Sequence, residues 1–320
     1  VNAWMQTPQG FEMITRNGME VAKLTDPLAA FFTPRMPWMY VHMVNASVIS
    51  VALLVAGVSA YIVWKTRESE AWNTALKLAV IILLVTAPLQ AVHGDAYGRH
   101  VADTQPQKFA AMEAHYDTGT ADLHLLAFPK SIDAITDPKA ENLFTVSLPG
   151  VGSFLATGGD FDAEVLGLNE YEENPPVAIV FWSFRFMVGL GFLFIGLALW
   201  GGYLIYNGRL SESSRFLKTM IAASPLGYAA LLTGWYVTEI GRQPWVIQGE
   251  LRTSEAVSST LSGTEATLTL VGFVVIYIGL ILVALHVLRW LVEDELSELG
   301  VRASDDDRWY GPVPKVSDDD

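Results

Sequence analysis

The sequence has 320 residues, of which 51% are hydrophobic and only 17% charged, whereas soluble domains carry about 25% charged residues. It contains no cysteine, which excludes disulfides, iron–sulfur clusters and covalently attached haem, so a redox cofactor would need His, Met or carboxylate ligands. The net charge of −14 argues against binding to nucleic acid or anionic lipid. Long apolar blocks alternate with polar stretches, which indicates an integral membrane protein with several spans.

The acidic charge has two interpretations. The sequence holds 34 acidic against 20 basic residues, and Asp is concentrated in residues 304–320. Adaptation to high salt, as in a halophile, would account for this pattern. A plain solvated acidic tail accounts for it equally well.

The first part of the chain predicts an outer segment followed by two spans. Residues 1–39 are mixed in character and punctuated by proline, and they are predicted to be extracytoplasmic. Residues 40–94 hold the first two transmembrane helices, over about 40–64 and 76–92. The second of these is predicted to end at His93-Gly94-Asp95.

A polar region of about eighty residues follows, over residues 95–176, and it is too long for a plain connection. We expect an extracytoplasmic loop domain. Its apolar stretches, such as residues 123–128, predict that it packs against other parts of the protein.

Residues 177–292 hold three further spans, and residues 293–320 form an acidic cytoplasmic tail. The three spans cover about residues 177–206, 217–238 and 267–290. Pro225 lies inside the fourth span and predicts a kink.

Orientation is predicted from the basic residues of the short connections, which concentrate on the cytoplasmic side. These residues are Lys65, Arg67 and Lys77 after the first span and Arg209, Arg215 and Lys218 after the third. The long loop then lies outside. The predicted fold class is an all-α integral membrane protein with five transmembrane helices and a long extracytoplasmic loop between the second and third.

Arg185 lies about nine residues inside the third span. An Arg at mid-membrane costs about 2.5–3.5 kcal/mol, so its presence requires an explanation. One explanation is that the side chain reaches back to the outer interface. The other is an anionic partner inside the helix bundle, such as a haem propionate or a carboxylate.

His42 and Met187 lie at similar depths, in the outer halves of the first and third spans. A lone His on an apolar helix is usually a satisfied core residue, and Met is a common filler of gaps. A His/Met pair is also a known axial set for a low-spin haem. The matched depths favour the second interpretation.

Glu239 ends the fourth span and lies three residues before Arg242, which predicts either a local ion pair at the interface or a functional carboxylate. Trp235 lies one turn earlier on the same helix face. It is either an interfacial anchor or part of the same site. His100, His115, His124 and His286 show no ligand spacing and are interpreted as structural or solvated.

Residues 234–245, Gly-Trp-Tyr-Val-Thr-Glu-Ile-Gly-Arg-Gln-Pro-Trp, closely resemble the G-W-x-x-x-E-x-G-R-Q-P-W signature of the quinol-oxidising subunit I of cytochrome bd oxidases. Three other segments are similar to family motifs: residues 2–8, residues 184–187 (F-R-x-M) and residues 107–113, which match the quinol-loop motif K-x-A-A-x-E. The resemblance covers residues 1–295.

The resemblance implies haem-binding roles for five residues. His42 and Met187 would be the axial ligands of a low-spin haem b, with Arg185 stabilising that haem electrostatically. Glu239 would ligate or flank the iron of a high-spin haem b, with Arg242 nearby.

The resemblance also implies an electron-transfer and a quinol site. Trp235 would lie between haems. Lys108 and Glu113 would bind quinol and take its protons, although the residues alone look like ordinary loop charges. Asp95 would either help at the quinol loop or form part of a plain helix stop.

One departure from the family pattern is large. The family subunit has nine spans, and its first four carry the axial His of haem d and the acidic residues of a proton channel; none of these is present. The sequence starts at Val1 in a polar stretch without a signal-peptide pattern, so we expect a fragment of a longer protein that is inactive alone. Haem d or a third haem would occupy a site completed by the missing four-helix segment, and the high-spin haem b would be shared with it.

The implied partners are quinol, O₂, a second membrane subunit and the missing four-helix segment. The implied location is the plasma membrane of a prokaryote, with a multi-pass chain. The alternative function is a transporter or channel subunit that uses Arg185 and Glu239 as intramembrane charges. The sequence does not distinguish which quinone is oxidised.

Overall fold

The computed structural model describes residues 1–16, 19–66, 69–129, 141–258 and 260–300. These fall into two compact units. One comprises Val1–Ser50, Val85–Ile195 and Leu226–Ala256, and the other Val51–Leu84, Gly196–Pro225 and Val257–Asp320. The predicted acidic tail beyond residue 300 and the loop residue Arg67 lie outside the described residues.

The described chain is mostly helical. The helices are α1 (Asn2–Gln6), α2 (Pro27–Phe31), α3 (Met36–Thr66), α4 (Glu70–Thr104), α5 (Pro106–Glu113), α6 (Val151–Thr157), α7 (Val177–Tyr206), α8 (Ser214–Ala223), α9 (Leu226–Ile240) and α10 (Gly263–Glu298). Five segments among the described residues are long and apolar enough to cross a membrane: Pro27–Thr66, Glu70–Thr104, Val177–Tyr206, Ser214–Ile240 and Gly263–Glu298. The predicted class, an all-α membrane protein with five spans, is confirmed.

The second span is longer than predicted, because α4 continues without a break to Thr104. The stop predicted at His93-Gly94-Asp95 is therefore wrong. Gly94 packs against the His42 ring, where a Cβ would lie 3.4 Å from Cε1. Asp95 and Arg99 form an ion pair four residues apart, which supports the helix where it was expected to end. The first ten residues of the predicted loop domain are thus helical.

The fourth span is divided at the proline that predicted a kink. Helix α8 ends at Ala223 and α9 begins at Leu226. Proline cannot donate the backbone hydrogen bond of a helix interior and clashes with the preceding turn. The Ser224 hydroxyl donates to the carbonyl of Ile221 at 2.9 Å and satisfies one of the carbonyls released there.

Short strands accompany the helices in four antiparallel pairs. They are β1 (Phe11–Arg16) with β2 (Met19–Leu24), β3 (Gly119–Thr120) with β6 (Glu164–Val165), β4 (Leu123–Pro129) with β5 (Asn142–Leu148), and β7 (Trp245–Ile247) with β8 (Leu251–Arg252). Strands β3 to β6 belong to the loop region, and β7 and β8 follow α9.

The loop packs into a core, as its apolar content predicted. Phe109, Ala110 and Met112 of α5 are buried with Val177 and Phe181 of α7 in one apolar cluster of the first unit. This packing holds α5 in place, and α5 carries both candidate quinol residues. The second unit has its own small cluster around Ile62 and Leu296.

Candidate functional site

The site is built around α5. Pro106 supplies the fixed φ that suits a first helical position, and the helix ends at Ala114 in the left-handed conformation, with φ of 50°. Lys108 and Glu113 are only 3% and 2% exposed, so neither is an ordinary solvated loop charge. Residues five apart on a helix point to different sides, and the two side chains accordingly meet different elements.

Lys108 points toward α1 and α9. Its Nζ donates to Gln6 Oε1 at 2.5 Å and to the carbonyl of Thr238 at 3.2 Å. The stem passes Gly241, where a Cβ would lie 3.2 Å from Lys108 Cγ. Burial, reinforced by the charges of Arg35 and Arg242 and opposed by that of Glu239, holds the pKa of Lys108 well below its usual range.

Glu113 points toward α7 and forms an ion pair with Arg185. Arg185 Nη1 lies 3.5 Å from Glu113 Oε1, and Arg185 Nε donates to the carbonyl of His124 at 2.6 Å. Burial raises the pKa of the Glu113 carboxyl, against the opposing effect of the Arg185 charge. The anionic partner of Arg185 is therefore the carboxylate of Glu113 on the loop helix α5. Because α5 lies outside the spans, this pairing is compatible with the interpretation in which the Arg185 side chain reaches the outer interface, and that interpretation stays a prediction.

His42 lies in an aromatic and imidazole cluster formed by α3 and α4. Its ring centroid is 5.7 Å from that of His93 and 5.5 Å from that of Tyr97. His42 Nδ1 is buried and has no hydrogen-bond partner among the described residues. His93 Nδ1 and His100 Nε2 share this condition, so a buried ring nitrogen without a partner is compatible with a ligand role for His42 but does not single it out.

The sequence analysis missed most of this cluster. Trp38 lies 5.6 Å from His93 and 5.7 Å from His100, and it stacks on the second of these rings. The available signal was helical spacing: residues 38 and 42 share one face of α3, and residues 93, 97 and 100 share one face of α4. His100 stacks on Trp38, and its Nε2 is buried without a partner among the described residues, so its interpretation as structural or solvated stays a prediction.

The remaining histidines agree with a structural or solvated interpretation. His115 Nε2 lies 3.1 Å from the carbonyl of Val165, and His124 Nδ1 lies 2.7 Å from Ser147 Oγ. His286 is exposed on α10.

Met187 lies against α9. A Cβ built at Gly234 would be only 2.8 Å from Met187 Sδ, so the absence of a side chain at position 234 makes room for the thioether. No hydrogen bond or ring contact joins Met187 to His42 in the described part of the chain, but both belong to the first unit. Imidazole and thioether are a donor set that fits the axial positions of a haem.

Glu239 is held from two sides. Arg242 Nη2 donates to Oε2 at 2.6 Å, and Asn2 Nδ2 donates to Oε1. The predicted ion pair is therefore present. Trp235, one turn earlier, is 51% exposed and its ring is open to a further group.

Arg242 is 5% exposed, and its Nε and Nη1 are buried without a partner among the described residues. Buried guanidinium nitrogens in this condition fit an anionic group such as the propionate of a haem. Since both Glu239 oxygens accept hydrogen bonds, the arrangement fits a carboxylate that flanks a haem better than one whose oxygens are both free for iron.

A buried polar group centred on α1 was also missed. Gln6 and Arg35 are each 1% exposed. Arg35 Nη2 donates to Gln105 Oε1 at 2.6 Å, and Gln105 Nε2 donates to the carbonyl of Gln6 at 3.3 Å. These residues lie in separate polar segments, each next to a proline, which give no hydrophobic period from which burial can be predicted.

Comparison with known proteins identifies relatives over most of the chain. The family model described as "Cytochrome bd terminal oxidase subunit I" matches residues 1–296. The chain is 31% identical over 299 residues to cytochrome bd ubiquinol oxidase subunit 1 of Bacillus subtilis (strain 168), covering 89% of this chain and 62% of that protein. It is 32% identical over 271 residues to a putative cytochrome bd menaquinol oxidase subunit I of the same strain, covering 81% and 58%.

A solved structure agrees with these matches. The bd oxidase of Geobacillus thermodenitrificans superposes with a TM-score of 0.75 at 32% identity, over 90% of this chain and 64% of that chain. The chain thus spans about three fifths of the length of the relatives it matches. The comparisons do not support the high-salt interpretation of the acidic charge. With the family model matching nearly its whole length, the chain belongs to the cytochrome bd terminal oxidase subunit I family.

Proposed function

We propose that this chain is the quinol-oxidising, haem-holding part of a cytochrome bd-type quinol:O₂ oxidoreductase in a prokaryotic plasma membrane. The observation that carries the proposal is the pair of buried titratable groups on α5, Lys108 and Glu113, because buried titratable groups with shifted pKa values cluster at functional sites. Relatives are named ubiquinol and menaquinol oxidases, which supports a quinol as the substrate. The predicted orientation places this site on the outer face of the membrane.

Quinol oxidation releases two electrons and two protons, so the site must accept protons from the quinol hydroxyls. Glu113 suits this role because burial raises the pKa of its carboxyl, which makes its carboxylate a stronger base. Its Oε1 is the freer oxygen, since its contact with Arg185 is 3.5 Å long. Lys108, whose pKa is lowered by burial, is suited to hydrogen bonding with a quinol oxygen. Arg185 then holds Glu113 in position for the proton transfer.

Haem groups would be held by side chains of the first unit. His42 and Met187 would ligate a low-spin haem b, which Arg185 would stabilise electrostatically through its charge. Glu239 and Arg242 would ligate or flank a high-spin haem b. When bound, these groups supply one-electron transfer toward the reduction of O₂ to water.

Electron transfer and further partners complete the proposal. Trp235 would lie between haems, where its exposed ring is free to make contact. Haem d or a third haem would need residues from outside this chain, namely a further four-helix segment. A second membrane subunit belongs to the same proposed assembly.

The transporter alternative uses Arg185 and Glu239 as intramembrane charges. Each of them is paired within the protein, Arg185 with Glu113 and Glu239 with Arg242. No observation in the described residues favours it over the oxidase.

Steady-state kinetics of Lys108→Met and Glu113→Gln in the assembled oxidase test the proposal. Each substitution removes a buried hydrogen-bonding group, and we expect kcat/KM for quinol to fall about tenfold or more while haem content is unchanged. Matched controls are Lys23→Met, whose lysine is 57% exposed, and Glu164→Gln on an exposed loop strand. Wild-type kinetics in both α5 variants would place the quinol site elsewhere.

A further inference from the structure

A chain of side-chain hydrogen bonds joins the loop lysine to the carboxylate of α9. Lys108 Nζ donates to Gln6 Oε1 at 2.5 Å, Gln6 Nε2 donates to Asn2 Oδ1 at 3.2 Å, and Asn2 Nδ2 donates to Glu239 Oε1. These four residues are named here the amide chain. All of them lie in the first unit.

The direction of the amide chain is fixed by its two ends. Lys108 donates from its Nζ to Gln6 Oε1, and an ionised carboxylate can only accept hydrogen bonds. Each amide must therefore turn its oxygen toward Lys108 and its nitrogen toward Glu239. Gln6 Nε2 also donates to the carbonyl of Thr238 at 3.2 Å, so both donors and the acceptor of this 1% exposed side chain are used.

The surroundings hold the amide chain in place. Gln105 Nε2 donates to the carbonyl of Gln6 and to Gln248 Oε1, at 3.3 Å and 3.1 Å, and the backbone N–H of Gln248 donates to the carbonyl of Met5 at 2.9 Å. Helix α1 has only five residues, and these external contacts fix its position. Buried hydrogen bonds in series polarise one another, so a change at one end of such a series is felt at the other.

We propose that Asn2 and Gln6 are positioning residues that couple the quinol-site lysine Lys108 to Glu239, two groups that make no direct hydrogen bond to each other among the described residues. The amide chain adds polarisation along its hydrogen bonds to the direct attraction between the charges of its two ends, and no proton passes through the amides. This inference rests on the proposed function, since it links the quinol site to the carboxylate beside the high-spin haem. It assigns a role to α1, which the sequence analysis noted only as a similar motif.

The test uses the visible absorption spectrum of the assembled oxidase in Lys108→Met, Gln6→Leu and the double variant. Each single substitution is expected to shift the bands of the haem beside Glu239. Because both act through one chain, the double variant should shift them no further than one single variant does. Band shifts caused by substitutions at two unconnected sites are expected to add. Shifts that add, or unchanged bands in Gln6→Leu, would overturn the coupling.

Gln6→Glu tests the link between Gln6 and Asn2. Its carboxylate keeps an acceptor for Lys108 but loses the donor to Asn2. The bands should therefore shift as in Asn2→Leu. Gln6→Leu should also lower kcat/KM for quinol about tenfold, because the buried hydrogen bond from Lys108 is lost. A spectrum of Gln6→Glu identical to wild type would contradict the inference.

Two further measurements distinguish a failure of this inference from a structural defect and from a failure of the proposed function. Thr7→Val removes only a hydroxyl that donates within α1, to the carbonyl of Ala3 at 3.3 Å, and should leave both kinetics and spectrum unchanged. Unchanged quinol kinetics in Lys108→Met would count against the proposed function. The band shifts of Lys108→Met and Gln6→Leu would still decide whether the amide chain couples its ends.

Discussion

At the scale of residues, the charges inside the apolar part of the chain are held by partners that are distant in sequence. The sequence shows that Arg185 needs an anion, but it cannot show that the anion is Glu113, 72 residues earlier, because no local period reports such a contact. Replacing Arg185 by an apolar residue would leave the Glu113 carboxylate buried without its counter-ion, which is destabilising, whereas Glu113→Gln keeps a hydrogen-bonding amide beside the guanidinium. The local pair of Glu239 with Arg242 was predictable, since residues three apart on a helix are neighbours.

The ligand assignment of His42 and Met187 is tested at the same scale by replacing each residue. His42→Ala removes the only nitrogen ligand proposed for the low-spin haem, so its spectrum should be lost. Met187→Leu keeps the apolar volume but removes the thioether, so haem should remain bound with a shift toward high spin and a lower potential. Optical and electron paramagnetic resonance spectra measure both effects. A low-spin signal that survives in both variants would refute the assignment.

At the scale of elements, hydrophobic runs located the spans, and tertiary contacts determined where the helices end. The bounds of α7 agree with those predicted, because polar and proline-rich residues flank its apolar run. Helix α4 continues beyond its apolar run, residues 76–92. Gly94 fits against His42 there, and Asp95 pairs with Arg99. Neither contact is visible in a hydropathy pattern. The loop helix α5 was not predicted, since eight residues are too few for a reliable period, and only the motif of residues 107–113 was recognised.

The contact between α7 and α9 gives a prediction at this scale. A Cβ at Gly234 would lie 2.8 Å from Met187 Sδ, and the thioether is the far end of a flexible side chain. Gly234→Ala should therefore change thermal stability little but displace Met187, which alters the low-spin haem spectrum. Gly272→Ala on α10 is the control, because a Cβ there meets no atom within 4 Å. Equal spectra of the two variants would show that position 234 does not set the thioether position.

At the scale of the whole molecule, composition and apolar blocks were enough to predict the number of spans. The connection between the first residues of the chain and the end of α9 was beyond prediction. Asn2 and Glu239 are 237 positions apart, and their contact depends on how α1 packs. The family resemblance placed both residues in matching motifs without saying that they meet. The polar segments of this sequence thus carry most of the site, and these are the segments whose burial is hardest to predict.

On the proposed function, quinol bound at α5 delivers electrons to haem held by the same chain. The decisive measurement is a reduced-minus-oxidised difference spectrum of the assembled oxidase, with quinol as the only reductant. Haem b bands should appear on adding quinol to wild type. The double variant Lys108→Met, Glu113→Gln should show them with dithionite but not with quinol. Absence of haem b bands under both reductants, or reduction of the double variant by quinol at the wild-type rate, would contradict the account.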